Sequence, residues 1–527
     1  MMSKQFSAGG FRGAENSPVR MDTRIDSDLL AAFPENFVRE HGAIPVYRKN
    51  GKVIVAVAPG AAPEVLDYVK FRYGSSADFV PVSSDTVQNL IEKNYGAGDE
   101  SGVFSKDSIR GVIEEVARVS SGAYALRADA DFSISSPVVR LAGSIIEEAF
   151  SKRASDVHLE PYEEGLRVRY RIDGVLYVFH RLPIEIAPIL TSRIKVMCEL
   201  DIAEKRRAQQ GQMNFRTSRG DDFECRVSVV PVTFGEKIAI RILDKGPLNF
   251  SLKQLGFEDS QLADFEKAVR AENGMVLIAG PTGSGKTTTL YSVLEEIKSE
   301  QINIVTAEDP IEYNLSGINQ VQIRENIGLT FSECLRNFLR QDPDVILVGE
   351  IRDSKTADIA VKASLTGHLM FSTIHTSDAL SSVVRLLDMG IEPFLVASSL
   401  HAVVAQRLVR VICPSCKKPA AVNSAALKSA GISEKQCPAD AVYESAGCDN
   451  CSSTGYRGRE AVYEVAVVDS ELKEMIARRA SLSEMRRWAA DKGINTMRRN
   501  AIRKLALGIT TLEEVVKNTP PDSNKEA

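Results

Sequence analysis

The chain has 527 residues, 44% of them hydrophobic and 26% charged, with a formal net charge of -5. At about 150 residues per domain this length implies three or four domains rather than one core, and the composition excludes a disordered chain or a coiled coil. The mildly acidic balance carries no nucleic-acid footprint, a run of about 18 apolar residues is absent, and the opening MMSKQFSAGGFRGAENSPVR lacks an apolar signal core, so the expected location is the cytoplasm.

Residues 1–25 read as a flexible leader and are followed by a small α/β unit over 26–95, where the apolar strand VIVAVA (Val53 to Ala58) alternates with the helical stretch APEVLDYVKFRYG. Periodicity then fades through a linker, 96–135. Ser136-Pro137 opens an amphipathic helix, VVRLAGSIIEEAFSKR. Two alternating strands joined by Asp173-Gly174 follow, a short hairpin signal. Residues 136–244 are therefore expected to form an α+β domain rich in antiparallel strands. Arg167, Arg169 and Arg171 share one face of its first hairpin strand, either a solvated face or an interdomain or membrane-facing patch. From 245 to 518 strands and helices alternate as in a parallel α/β sheet, with a cysteine-bearing insertion at 413–451 and a helical tail. Ser481 with Glu484 and Thr510 with Glu513 have capping-box spacing there. Residues 519–527 read as a disordered tail.

The stretch Gly280-Pro281-Thr282-Gly283-Ser284-Gly285-Lys286-Thr287, with Thr288 after it, is a complete GxxxxGK[ST] motif between the strand MVLIAG and a helix. Strand, glycine-rich turn and helix N-terminus direct successive backbone N–H groups at phosphate oxygens. Lys286 is expected to reach the β and γ phosphates of ATP, and Thr287 to ligate Mg²⁺. Two acidic segments follow apolar strands nearby: Glu350 after DVILVG, and Glu308 with Glu312 in AEDPIE. Each fits metal-assisted phosphoryl transfer to water, and each alone reads equally as an exposed strand end. Thr330 with Glu333 predicts a helix running through Arg340, which would put Arg336 and Arg340 on one face, suited to a γ-phosphate or an acidic neighbour, or simply solvated.

Cys413-Pro-Ser-Cys416 and Cys448-Asp-Asn-Cys451 offer four thiolates, the ligand set of a structural Zn²⁺. A redox pair is the alternative; Cys437 between them is left over.

The ordered motifs GPTGSGKT (280–287), AEDPIEY (307–313), LRQDPDVILVGEIRD (339–353) and LTGHLMFSTIHTSDA (365–379) resemble the Walker A, Asp box, Walker B and His box of type II secretion and type IV pilus assembly ATPases. The resemblance continues through VAQRLVR and GCDNCSSTGYRGREAVYEV to GITTLEEVV, and back through SDVHLEP, covering about Ser136 to Val516. It implies a multidomain α/β protein: a small N-terminal partner-binding domain, a PAS-like α+β domain, and a RecA-like P-loop domain with a tetracysteine zinc insertion and helical C-terminal tail. It implies a homohexamer that hydrolyses ATP on a bacterial inner membrane and is held there through platform proteins, without nucleic acid. Arg226 and Arg241 would be the arginines of the PAS-like domain that complete the nucleotide site, and His368 and His375 the His-box pair that senses nucleotide state; for the histidines, simple burial in satisfied hydrogen bonds is the alternative. Members often read RLPQDG where this chain has Arg206-Arg207-Ala208-Gln209-Gln210-Gly211. Overall length and the compact N-terminal unit resemble the secretion member more than the pilus member.

Overall fold

In the computed structural model the described residues are 25, 29, 38, 42–49, 52–58, 77–84, 86, 87, 89, 90, 137–243, 251–420 and 424–522. The leader to residue 24, the helical stretch at 62–74, the linker 96–135, Ser136 and residues 523–527 lie outside them.

Two compact units divide the chain at Ser108. In the first, β1 (Ala43–Lys49) pairs antiparallel with β2 (Lys52–Val57), which pairs parallel with β3 (Ala77–Pro81). Val53 and Val55 of β2 pack with Ile44 and Val46 of β1 and with Leu29, Val87 and Leu90.

The second unit opens with an α+β domain: α1 (Pro137–Ser151), β4 (Ala154–Tyr162), β5 (Gly165–Ile172), β6 (Val175–Leu182), α2 (Ile186–Met197), β7 (Gln209–Arg216), β8 (Asp222–Val232) and β9 (Gly235–Leu243). Its strands form an antiparallel sheet in the order β6-β5-β4-β9-β8-β7. Asp173 (φ 48) and Gly174 (φ 85) make the expected tight turn. Leu166, Val168, Tyr170 and Ile172 of β5 face α1 and α2 in the core. The alternate residues form a charged face on which each arginine finds a carboxylate: Arg167 and Arg169 meet Glu160 at 3.2 and 2.7 Å, and Arg171 meets Asp156 at 3.2 Å. Burial opposes the charge on Glu160, yet Arg169 and Lys237 hold its carboxyl down to about 2. Each arginine of the row thus has a carboxylate partner within its own sheet, although two carboxylates serve all three.

A second sheet follows, built from α3 (Asp259–Val269), β10 (Gly274–Ala279), α4 (Lys286–Ile297), β11 (Ile304–Glu308), β12 (Asn319–Gln322), α5 (Phe331–Phe338), β13 (Val345–Val348), α6 (Ser354–Leu365), β14 (Leu369–Ile374), α7 (Ala379–Asp388), α8 (Pro393–Ser399) and β15 (Leu400–Ile412). After the cysteine insertion, with β16 (Lys417–Pro419), α9 (Ser424–Ser429) and β17 (Tyr443–Ser445), come β18 (Tyr456–Val467), α10 (Ser470–Ala477), α11 (Leu482–Asp491), α12 (Met497–Ala506) and α13 (Leu512–Asn518). Strand order is β12-β11-β13-β14-β10-β15-β18, parallel except for β18 against β15. β10, β13 and β14 are buried along their whole length, as expected of strands covered by helices on both faces.

Three expectations about helix ends are corrected. α5 stops at Phe338, so Arg340 lies in the following turn and shares no helix face with Arg336. The cap of α13 is Thr511, which accepts from Glu514 N; the hydroxyl of Thr510 donates instead to Arg410 O at 2.8 Å. The expected disordered tail begins later than 519: Thr519 is buried and accepts from Arg498 at 3.2 Å, and Asp522 accepts from Thr496 at 2.7 Å.

Helix α13 is fastened to β15 by a buried ion pair. Arg410 donates to Glu514 Oε1 from Nε and Nη2 at 3.0 and 2.8 Å, stacks 3.8 Å over the Tyr456 ring, and donates to the Tyr177 hydroxyl at 2.9 Å. Removing one partner of such a pair strands the other charge, at a cost of about 3–5 kcal/mol. Glu514→Ala should therefore lower the thermal midpoint of the second unit markedly, measured by calorimetry, whereas Glu514→Gln, retaining an acceptor, should lower it less.

Candidate functional site

The phosphate loop leaves β10 at Gly280, where φ is +152° and a Cβ would lie 2.5 Å from Ser284 Oγ and 2.6 Å from Gln406 O. At Gly285, with φ +88°, a Cβ would meet Gln406 Nε2 at 2.8 Å. Both positions require glycine on steric as well as conformational grounds. Lys286, first residue of α4, folds back so that Nζ donates to Gly280 O and Pro281 O at 2.9 Å each. Burial depresses its ammonium pKa. Ser284 Oγ is buried without a partner, while Thr282, Gly283 and Thr287 are exposed and Thr288 half-buried. A cradle with an orphaned hydroxyl and a cation resting on the loop's own carbonyls fits a phosphate chain, and the exposed Thr287 hydroxyl in the first turn of α4 fits a Mg²⁺ ligand.

The acids separate by environment. Glu350, just beyond β13, accepts from Arg352 and lies 3.1 Å from His375 Nε2. Burial raises its pKa, but Arg352 and His375 hold the carboxyl below the ordinary range, so it is ionised. Glu308 ends β11 at 3% exposure and is enclosed by three donors: the Tyr291 hydroxyl, Thr306 Oγ1 at 2.5 Å and Gln320 Nε2 at 3.0 Å. Burial and the Glu308 charge push the Tyr291 phenol well up. Glu312 is half-buried and 3.9 Å from Arg226 Nη1. Arg226 also donates from Nη2 to Ile311 O at 3.1 Å, so the α+β domain touches the acidic segment directly. Arg241 stands opposite Arg226 across β8 and β9, exposed and 3.1 Å from Asp156.

The sheet thus gathers the loop, Glu350, Glu308, Glu312 and His375 at the C-terminal ends of its strands, where ligands bind in open α/β folds. His368 is a correction. It precedes β14 while His375 follows it, and seven steps of about 3.3 Å put the two about 23 Å apart, at opposite ends of the strand. Nδ1 of His368 is 3.0 Å from Ala363 O, a local contact at the end of α6. Arg336 pairs with Glu333 at 3.7 Å, and Arg340 is exposed without an ion pair among the described residues. Three residues not singled out in the sequence also belong here: Tyr291 and Arg352, and Gln406, whose signal is a polar pair that follows the apolar run Ala402 to Ala405 in β15.

The four expected cysteines converge: their sulfurs lie within 4.8 Å of one another. Cys413–Cys448, Cys416–Cys451 and Cys448–Cys451 are 3.9, 3.8 and 3.7 Å apart, against about 3.8 Å for a tetrahedron of 2.3 Å Zn–S bonds. All eight cysteines are free thiols. Burial raises the Cys451 pKa, but amides of Cys448 and Gly455 and neighbouring thiols bring it to about 7; burial and the neighbouring thiols push Cys416 up to about 12. Four thiolates at this spacing need a cation, and the all-sulfur donor set is compatible with zinc.

A phosphate loop at the carboxyl edge of a parallel sheet, fused to an antiparallel α+β domain and carrying a closed tetracysteine cluster, defines a P-loop protein of secretion-ATPase fold. The Legionella pneumophila ATPase DotB has that fold, with a TM-score of 0.53 at 22% identity over 71% of this chain and 93% of that one. A profile described as Type II/IV secretion system protein matches residues 132–517, and an MshEN domain profile matches 20–101. The "Type IV pilus assembly ATPase PilB" of Myxococcus xanthus is 44% identical over 95% of this chain and 88% of its own length, and the "Type II secretion system protein E" of Aeromonas hydrophila 40% identical over 94% and 99%. The chain belongs to the type II/IV secretion system protein family.

Elemental analysis of unchelated protein should return one zinc per chain. Cys416→Ser should lose it and lower the melting temperature, because ligation ties together the two ends of the 413–451 segment, whereas Cys437→Ser should retain it.

Proposed function

We infer that this chain is an ATP-hydrolysing motor that drives assembly of a pseudopilus for type II secretion, working as a homohexamer on the cytoplasmic side of the inner membrane and held there through platform proteins. No described helix is long and apolar enough to cross a membrane. One observation carries the enzymatic reading: an ionised carboxylate, Glu350, oriented by His375 and Arg352, beside a phosphate cradle whose Ser284 hydroxyl and Lys286 have no better partners than the loop itself.

The roles follow from environment. Residues 280–288 bind the nucleotide, with Lys286 turning from the Gly280 and Pro281 carbonyls to phosphate oxygens and Thr287 holding Mg²⁺. The bound Mg²⁺ and ATP would supply the charge neutralisation and the phosphoryl group. Glu350 orients the attacking water and takes its proton. Glu308, held by three donors, positions the Asp-box segment, and Glu312 exchanges partners with Arg226. His375 reports on Glu350 and so on nucleotide state. Arg336 and Arg340, both exposed, are available to a neighbouring subunit. A structural Zn²⁺ sits on Cys413, Cys416, Cys448 and Cys451.

Secretion is favoured over pilus assembly by length, since the alignment takes in 99% of the Aeromonas hydrophila protein. The 44% identity to the Myxococcus xanthus protein favours the second reading, type IV pilus assembly. Deleting the gene in its own host separates them: loss of extracellular enzymes with surface pili intact supports secretion, and the reverse supports pili.

Lys286→Ala should abolish phosphate release. Glu350→Gln should still bind ATP but lose most turnover, since the isostere lacks the carboxylate's charge and basicity; failure to bind ATP would make Glu350 a structural residue instead. Arg226→Ala and Arg241→Ala should each lower turnover by about tenfold or more, equivalent to about 1.4 kcal/mol of barrier, without an appreciable fall in melting temperature, and specific activity should rise with protein concentration as rings form. Wild-type turnover in both variants and concentration-independent activity would rule out the ring mechanism.

A further inference from the structure

β15 lies parallel to β10 with Ala405 opposite Ala279, so the next two residues, Gln406 and Arg407, run beside the opening of the phosphate loop. They point to opposite faces of the strand. Gln406 is committed to the loop's framework: Nε2 donates to Ser284 O and Oε1 accepts from Thr289 Oγ1, both at 2.8 Å. Arg407 is committed to nothing. Its side chain makes no hydrogen bond or ion pair among the described residues, and its Nε is buried without a partner.

A charge that Arg407 does feel is another cation. Burial depresses the Lys286 ammonium, Glu350 opposes that, and Arg407 adds to it. A guanidinium keeps its proton at any physiological pH, so it cannot relieve the repulsion by neutralising. A half-buried, unpaired guanidinium is destabilising, and two such cations at one loop become favourable together only around an anion. The orphaned Ser284 hydroxyl stands on the same loop.

We propose that Arg407 is a second nucleotide-binding cation, which shares with Lys286 the neutralisation of the phosphate chain of a nucleoside di- or triphosphate. The assignment rests on the nucleotide-binding reading of residues 280–288. It explains why a strand that is otherwise apolar on this face, through Val403, Ala405 and Val409, places an arginine at the level of the loop.

The test uses the full chain and a fluorescent ADP analogue, displaced by ADP or by inorganic pyrophosphate. Arg407→Gln should raise the Kd for both competitors by about tenfold or more, the loss of a charge-assisted hydrogen bond, with Arg407→Lys intermediate. Without nucleotide, Arg407→Gln should melt at the wild-type temperature or above it, because it removes an uncompensated cation, while the rise in melting temperature caused by ADP should shrink. Unchanged Kd for both competitors would overturn the proposal. So would weakened ADP with unchanged pyrophosphate, which puts Arg407 on the base or ribose, or a clear fall in melting temperature without nucleotide, which makes it a structural residue. Failure of the wild type itself to bind ADP would remove the nucleotide-binding reading, and this assignment with it.

Discussion

The chemistry of this protein depends on a brace between two neighbouring strands. The phosphate loop must hold its amides outward at the end of β10, and a glycine-rich segment has the largest conformational entropy to lose in doing so. Gln406 of β15 supplies the restraint, one end of its amide on the Ser284 carbonyl and the other on the Thr289 hydroxyl of α4. That side chain leaves Gly285 no room for a Cβ, and the Gln406 carbonyl with the Ser284 hydroxyl does the same at Gly280. Two polar groups, Ser284 Oγ and Arg407 Nε, remain buried and unsatisfied beside the brace. Unpaired buried donors are rare in native proteins, and two of them at one loop mark the place where the fold is incomplete without a ligand.

Much of this was legible in the sequence, and the failures have physical causes. The loop declares itself because glycines at fixed offsets between an apolar strand and a helix serve few other purposes. The Asp173-Gly174 hairpin and the Ser481 cap were equally plain, since local backbone chemistry alone decides them. The ranking of the acids was not legible. Glu308 and Glu350 each end an apolar strand, and what distinguishes them is Tyr291, Thr306 and Gln320 closing on one, and Arg352 and His375 on the other. Those partners are assembled by the fold.

The remaining misses are ties that local rules cannot break. Thr510 with Glu513 and Thr511 with Glu514 have the same spacing; the structure selects the second because the Arg410 carbonyl claims the Thr510 hydroxyl and the Arg410 side chain claims Glu514. His368 and His375 both flank the strand LMFSTI within one motif, but a strand separates what it connects, and only the residue after it reaches the end where the loop lies. The pairing of the β5 arginines was likewise not legible, because Asp156 and Glu160 come from the neighbouring strand.

The α+β domain meets the ATPase domain at two places of very different strength, and the difference bears on how a motor could move. At the hairpin tip, Asp173 accepts from the Gly458 amide at 2.9 Å and Tyr177 accepts from the buried Arg410. This anchor sits at the start of β18, and the cysteine cluster stiffens the same stretch, since Gly455 donates to Cys451 Sγ at 3.2 Å and accepts from the Cys413 amide at 3.0 Å. At the acidic segment, Arg226 holds Ile311 and Glu312 through one hydrogen bond and one loose ion pair at 3.9 Å, with both side chains about a third exposed. Each of the two hydrogen bonds at the hairpin tip involves a charged group and contributes about 1.5–3 kcal/mol, whereas an exposed ion pair contributes about 0–1. Under any torque between the domains the contact at Arg226 is therefore the one that yields before the hairpin tip. The carboxyl edge of the sheet, where the phosphate loop lies, is then the edge whose interdomain contact is the weaker.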